Sequence, residues 1–87
     1  MKESKIEKDC KNIAIKNNYN VRKIKFIAIN GCPDRLFFKK DHLFFVEFKT
    51  EIGTTSKLQE HQIKLLRDCN IEVYIINNIE DFKRILK

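Results

Sequence analysis

Apolar side chains recur along this chain at two spacings, one typical of helices and one typical of strands. Near the beginning, four of them recur at helical spacing: Ile6, Cys10, Ile13 and Ala14. This pattern predicts an amphipathic helix over residues 4–17. Ser4 followed three residues later by Glu7 is a capping-box pattern, and Asn17-Asn18 is expected to end the helix.

Three β segments are predicted after this helix. Residues 19–29 are rich in β-branched and aromatic side chains, which predicts a strand, and residues 30–33 break it with the turn-forming pair Asn-Gly. Residues 34–39 and 43–50 predict two further strands. The tight turn expected at residues 40–42 would join these two strands into a hairpin.

The remaining third of the chain predicts a helix, a strand and a short helix. Ser56 begins the helix and Asn70 ends it, and its apolar stripe consists of Leu58, Leu65, Leu66 and Cys69. Residues 71–76 are almost all apolar, which predicts a strand buried on both faces, and residues 79–86 predict the last helix. The order α-β-β-β-α-β-α indicates an α/β fold with a mixed sheet flanked by helices.

Length and composition limit the classes of protein that fit. The chain has 87 residues, which predicts a single domain over 1–87, and its 43% hydrophobic content argues against disorder. It contains no apolar run near the roughly 20 residues of a membrane-spanning helix, and its charged start leads into no signal sequence. Three cysteines cannot all pair, so we expect an intracellular, cytoplasmic protein with reduced thiols.

The chain is strongly basic, with 18 Lys and Arg against 12 Asp and Glu and a net charge of +6. Charge alone leaves two interpretations open: a polyanionic partner such as nucleic acid, or a basic surface that binds nothing specific. The candidate phosphate contacts are Arg22, Lys23, Lys25, Arg35, Lys39, Lys40 and Lys57. Such contacts would position a nucleic-acid backbone without reading its bases.

The predicted strand over residues 43–50 carries two charges in an otherwise apolar segment. Because side chains alternate between the faces of a strand, Glu47 and Lys49 are expected on the same face. Charged groups in a buried strand are paired or bind metal. Taken alone, the pair is explained most simply as a salt bridge within the strand.

Asp34 changes that interpretation. A hairpin centred on residues 40–41 places Asp34 opposite Glu47, and two adjacent carboxylates repel each other unless a cation lies between them. Asp34 by itself could merely cap the loop after Pro33. With Glu47 across the hairpin, a metal site is favoured, and oxygen ligands favour Mg²⁺ or Mn²⁺.

Several other polar residues have simple structural explanations. His42 and His61 are not spaced as metal ligands, so we expect a turn residue and an exposed helix residue. Gln62 interrupts the apolar stripe of the second helix and is expected to be a hydrogen-bonded interior or interface group. The three cysteines are expected to be small apolar residues or loop thiols.

Pro33-Asp34 followed by Glu47-x-Lys49 resembles the PD-(D/E)XK nuclease signature, whose core has the same α-β-β-β-α-β order. More narrowly, four segments resemble the VRR-NUC branch of that superfamily: Gly31-Cys32-Pro33-Asp34-Arg35-Leu36, Phe45-Val46-Glu47-Phe48-Lys49, Ser56-x-x-Gln59 and Val73-Tyr74-Ile75-Ile76. The resemblance covers nearly the whole chain. It departs at Asn70, where the branch often has Gly, and at Gln62, where it often has an aromatic residue.

The resemblance implies a restriction-endonuclease-like fold and metal-dependent hydrolysis of phosphodiesters. It implies that Asp34, Glu47 and the backbone carbonyl of Phe48 hold Mg²⁺, or Mn²⁺ in its place. Lys49 would orient the attacking water and stabilise charge on the phosphate.

Two further site residues implied by the resemblance have competing structural explanations. Glu7 matches the additional acidic residue of the first helix and would hold metal, but it also fits the capping box with Ser4; Glu3 is a weaker candidate for that place. Gln59 matches a residue that contacts metal-bound water or phosphate, but it also fits a capping box with Ser56.

The predicted function is therefore that of a Mg²⁺-dependent DNA endonuclease specific for branched structures such as four-way junctions. Paired cuts in a symmetric junction predict a homodimer that uses either residues 22–29 or the second helix as its interface. One alternative is a non-catalytic nucleic-acid-binding module with the same fold. The other is a sequence-specific, restriction-type endonuclease, against which the lack of a recognition insertion argues.

Overall fold

The computed structural model describes residues 2–87, which form three helices and four strands in the predicted order. In chain order they are α1 (Glu3–Lys16), β1 (Asn20–Lys23), β2 (Arg35–Lys39), β3 (His42–Phe48), α2 (Lys57–Asp68), β4 (Val73–Ile76) and α3 (Ile79–Ile85). None of these helices is long and apolar enough to cross a membrane.

The four strands form one mixed sheet in the spatial order β1-β2-β3-β4. β1 and β3 each pair antiparallel with β2, and β4 pairs parallel with β3 after the crossover through α2. Arg35 pairs with Val46 and Lys39 with His42, which is the register expected for the hairpin. The predicted mixed α/β fold is thus confirmed.

One face of the sheet packs against α1 and α3 and forms the core. The ring of Phe37 stacks on Phe44 with centroids 5.2 Å apart and tilts against Phe82 at 5.1 Å. Ile6 and Cys10 of α1 close this core from above. Burying each of these large side chains stabilises the fold by roughly 1.5–3 kcal/mol relative to leaving it exposed.

The opposite face is only partly covered, because α2 buries Ile63 alone among its residues. The prediction that residues 71–76 are buried on both faces is wrong for Ile75, which is partly exposed. The reason is topological: β4 is the edge strand of the sheet, so no further strand flanks it on its outer side.

The strand expected over residues 19–29 is much shorter, because β1 ends at Lys23. Its partner strand β2 begins only at Arg35, and the last bond of the ladder runs from the Ile24 amide to the Asp34 carbonyl, at 2.8 Å. β-propensity cannot extend a strand that has no partner, so residues 24–34 form an irregular loop.

Two further local predictions need correction. Ser4 does not cap α1, since the helix begins at Glu3 with Lys2 as a cap that makes no side-chain hydrogen bond. His42 is not in the turn: Asp41 takes the left-handed conformation, with φ 66°, and His42 begins β3 as a buried residue. Asn70, which was predicted to end the second helix, takes a left-handed conformation with φ 63° directly after the Cys69 cap of α2.

Candidate active site

The two acidic residues of the predicted motif lie at the open end of the β2–β3 hairpin. Asp34 directly precedes β2, and continuing the hairpin register places it beside Glu47. The Asp34 backbone is held on one side by buried Pro33 and on the other by the bond from the Ile24 amide. Its carboxylate remains half-exposed and can receive a ligand from solvent.

Lys49 directly follows β3, and its side chain lies on the same side of the sheet as that of Glu47, as predicted. Lys49 Nζ is 3.8 Å from Glu47 Oε2, and only 16% and 13% of the two side chains are exposed. This distance is that of an ion pair without a tight hydrogen bond. Between them, the buried ring of Phe48 anchors the backbone in the core against Phe37 and Phe82.

The Glu47 carboxylate is destabilised where it lies. Burial raises its pKa above the ordinary glutamate value, the nearby charges of Asp34 and Glu3 raise it further, and Lys49 and Arg35 oppose the shift. The charged form of Glu47 is therefore disfavoured mainly by its lost hydration. An added cation would favour that charged form.

Glu3 and Glu7 occupy different environments, although both are on α1. Glu7 forms an ion pair with Arg35, which also lies 3.5 Å from Asp34 through its other terminal nitrogen. Glu3, in contrast, acts electrostatically on Glu47. Glu7 is thus engaged by Arg35, and the charge of Glu3 is one of the smaller causes that raise the pKa of Glu47.

Gln59 forms the capping box that its sequence pattern predicts. The Ser56 amide donates to Gln59 Oε1 at 3.0 Å, and the Gln59 amide donates to Ser56 Oγ at 3.2 Å. The hydrogen bond from the Ser56 amide occupies the side-chain oxygen of Gln59, so Nε2 is the atom with which Gln59 would donate to a phosphate. The two interpretations of Gln59 are therefore compatible.

Gly31 fixes the loop before Asp34 against α2. Its φ is +87°, and a Cβ at this position would lie 2.9 Å from the backbone of Leu58. Beside it, the Cys32 thiol donates to Gln62 Oε1 at 3.6 Å, which confirms Gln62 as a hydrogen-bonded polar group. Glycine is required here because any side chain would push the loop, and Asp34 with it, off the helix.

Among residues 2–87, no group of three or more His, Cys, Asp or Glu side chains is arranged to hold a metal ion. The protein side chains that fit Mg²⁺ are the carboxylates of Asp34 and Glu47. That number suits Mg²⁺, which usually binds one or two carboxylates together with waters and substrate phosphates.

The basic residues divide between the two ends of the sheet. Lys39, a predicted phosphate contact, instead packs over the Tyr19 ring at 4.6 Å and donates to the Lys87 carbonyl, far along the hairpin from Asp34. Lys23 and Lys25 belong to the segment that leads to the site, and Lys57 begins α2. The basic surface near the site is thus smaller than the sequence suggested.

No protein-family profile and no curated protein matches this chain. A solved structure of a VRR-NUC domain does match, at a TM-score of 0.85, with 21% sequence identity over 94% of this chain and 90% of that one. The chain therefore has the fold of a VRR-NUC domain, as its sequence motifs predicted.

Proposed function

We propose that this protein is a Mg²⁺- or Mn²⁺-dependent endonuclease that hydrolyses DNA phosphodiester bonds. The observation that carries the proposal is the pair of carboxylates at the open end of the hairpin, where the register places Asp34 beside Glu47, which is 13% exposed and 3.8 Å from Lys49. A chain that needed only a structural salt bridge at this place has no use for the second carboxylate. The likeness of the fold to a VRR-NUC domain also supports a nuclease function.

Asp34, Glu47 and the backbone carbonyl of Phe48 would hold the metal, whose chemistry is to polarise the phosphate and lower the pKa of bound water. Lys49 orients the attacking water and stabilises charge on the phosphate with its ammonium group. Glu3 and Glu7 are the acidic residues of α1 available to this site. Because Glu7 is paired with Arg35, Glu3 is the better candidate for a contact through water.

The decisive experiment is Glu47→Gln, with Glu80→Gln on the outer surface of α3 as the matched control. We expect Glu47→Gln to abolish cleavage of labelled DNA in Mg²⁺ and Mn²⁺ while DNA binding stays near wild type. The control should cut normally. Wild-type cleavage rates in Glu47→Gln would refute the metal site.

A non-catalytic DNA-binding module remains the second candidate, because Lys49 and Glu47 neutralise each other in part at 3.8 Å. The same assay separates the two: a binding module retains affinity for DNA but cuts none of the substrates. Comparing a four-way junction, a flap and a linear duplex also tests the preference for branched DNA. Cleavage tied to one sequence would favour the restriction-type alternative.

A homodimer would supply the second active site that a four-way junction needs. Exposed apolar side chains on β3, α2 and β4 are available to it, namely Leu43, Leu58, Leu65 and Ile75. We place the interface on this side, along α2, rather than on β1. Sedimentation equilibrium without DNA should give about twice the chain mass of 10.4 kDa. Leu65→Lys should give the monomer, whereas Lys8→Glu on α1 should not.

A further inference from the structure

Two aliphatic side chains project into solvent from the loops that adjoin the candidate active site in the sequence. Ile27 is 85% exposed and Ile52 is 94% exposed, the highest values among the large apolar residues of the described chain. Neither contributes to the core, so packing within the fold does not explain them. Single exposed apolar residues are common on protein surfaces, and these two become informative through their positions.

Both residues lie in loops that are joined directly to the site. Ile27 belongs to the loop of residues 24–34, which ends at Asp34, and Ile52 belongs to the loop of residues 49–56, which begins at Lys49. The two loops therefore leave the site from neighbouring strands, one on the β2 side and one on the β3 side.

The backbone holds each tip in a defined conformation. Next to Ile27, Phe26 packs its ring on Phe45 with centroids 6.4 Å apart, and Ala28 is left-handed at φ 63°. These neighbours anchor the loop on the sheet while Ile27 points away from it. In the second loop, the Gly53 amide donates to the Thr50 carbonyl at 3.0 Å, which makes Ile52 a central residue of a tight turn.

Basic residues lie near both tips along the chain. Lys23 and Lys25 precede the first tip, and Lys57 follows the second loop at the start of α2, whereas Glu51 adjoins Ile52 itself. Lysines of this kind contact phosphates, but an isoleucine gains nothing from a phosphate. It gains from apolar base surface, which a continuous duplex hides in its stack and a branch point exposes.

We infer that Ile27 and Ile52 are wedges that pack against unstacked bases on either side of the scissile phosphate. The inference rests on the proposed nuclease function and assigns two residues to the recognition of an interrupted base stack. Inserting an apolar side chain between stacked bases requires unstacking them. At a junction or flap the bases at the branch point are already unstacked, so this cost is absent there. The same wedges therefore favour branched DNA over duplex.

The test measures DNA binding by the double variant Ile27→Ser/Ile52→Ser in the cleavage-deficient Glu47→Gln background. A four-way junction and a linear duplex of the same sequence are the probes. The control is Ile15→Ser, which replaces a half-exposed isoleucine on α1. We expect the double variant to lose affinity for the junction by about tenfold per side chain and to bind duplex almost unchanged.

Base unstacking gives an independent measurement. 2-Aminopurine placed beside the branch point should brighten on binding of the parent protein and the Ile15→Ser variant, but much less with the double variant. Thermal unfolding verifies that the fold is intact. If Ile27→Ser disturbs its loop, Ile52→Ser alone must still lower junction affinity, because its loop is separate.

Unchanged junction affinity in the double variant overturns the inference, while cleavage by the wild-type protein leaves the nuclease proposal intact. Equal losses on junction and duplex also overturn it, since they indicate general DNA contacts. A change of oligomeric mass in the double variant would assign the tips to contact with a second copy of the chain and overturn it as well. A wild-type protein that neither binds nor cuts DNA removes both proposals.

Discussion

The two ends of the β2–β3 hairpin differ in how their carboxylates are held. At the turn end, the Tyr19 hydroxyl lies 2.6 Å from His42 Nδ1, and Glu72, whose side chain is 41% exposed, lies 3.5 Å from His42 Nε2. At the open end, Lys49 Nζ lies 3.8 Å from Glu47, whose side chain is only 13% exposed. The same pair of strands thus lies beside one carboxylate that is partly solvated and one that is largely removed from water.

The two glutamates express this difference in their pKa values. A hydrogen bond from the Tyr74 hydroxyl, 2.5 Å from Glu72, is the main cause that lowers the pKa of Glu72. Burial is the main cause that raises the pKa of Glu47. The Glu72 carboxylate is thus stabilised by a hydrogen-bond donor of the fold, whereas that of Glu47 is destabilised by burial, a pattern that is common at functional sites.

The strongest test of this contrast is to remove the positive charge of Lys49 at the open end of the hairpin. Lys49→Ala should lower the cleavage rate by about 10²–10³-fold, because a preorganised charge at the phosphate is lost. Metal binding should persist, since Lys49 is not a ligand. Lys64→Ala, on the outer surface of α2, is the control and should cut normally. Isothermal titration with Mn²⁺ separates the roles: a Lys49→Ala protein without metal affinity would make Lys49 structural.

A substitution at the turn end of the hairpin should lower the stability of the fold and leave DNA cleavage unchanged. His42→Ala removes the bond to Tyr19 and leaves a void beside Phe44, whose ring centroid is 5.0 Å away. We expect the free energy of unfolding to fall by about 3 kcal/mol, measured by urea denaturation. His61→Ala, at an exposed position on α2, should change it little. Loss of cleavage by the folded His42→Ala protein would show that the two ends are coupled.

The smallest expected effect concerns the stability of the open end without metal. Because the folded state raises the pKa of Glu47, it keeps the proton after the unfolded chain has released it. Stability therefore falls as pH rises from the ordinary glutamate pKa through the raised one. Glu47→Gln should remove this fall and stabilise the metal-free protein by about 1 kcal/mol at neutral pH. Urea denaturation with EDTA checks it; a less stable variant would make Glu47 a structural residue.

The element order and the hairpin register could be predicted because they depend on local signals. Alternating apolar residues and a turn at Asp41 suffice to place Asp34 opposite Glu47. Burial of His42 could not be predicted, since its partner Tyr19 is distant in sequence and the segment Lys40-Asp41-His42 has the polarity of a turn. The signal available was the position of His42 at the first residue of the strand, where its side chain lies on the same face as that of Phe44.

The choice between the acidic residues of α1 was equally beyond the sequence. Glu3 and Glu7 are four residues apart and share a helix face, so periodicity treats them alike. The difference arises from Arg35, which the hairpin carries to Glu7. Likewise, the composition of residues 24–29 favours a strand, and only the late start of β2 turns them into a loop.

The hairpin register also makes the candidate site depend on correct folding. A slip of one residue between β2 and β3 would turn every side chain of one strand to the wrong face, separating Asp34 from Glu47 and exposing Phe44. A misfolded or half-synthesised chain therefore lacks the assembled pair of carboxylates. If the protein cuts DNA, it becomes dangerous to its host only once it has folded correctly.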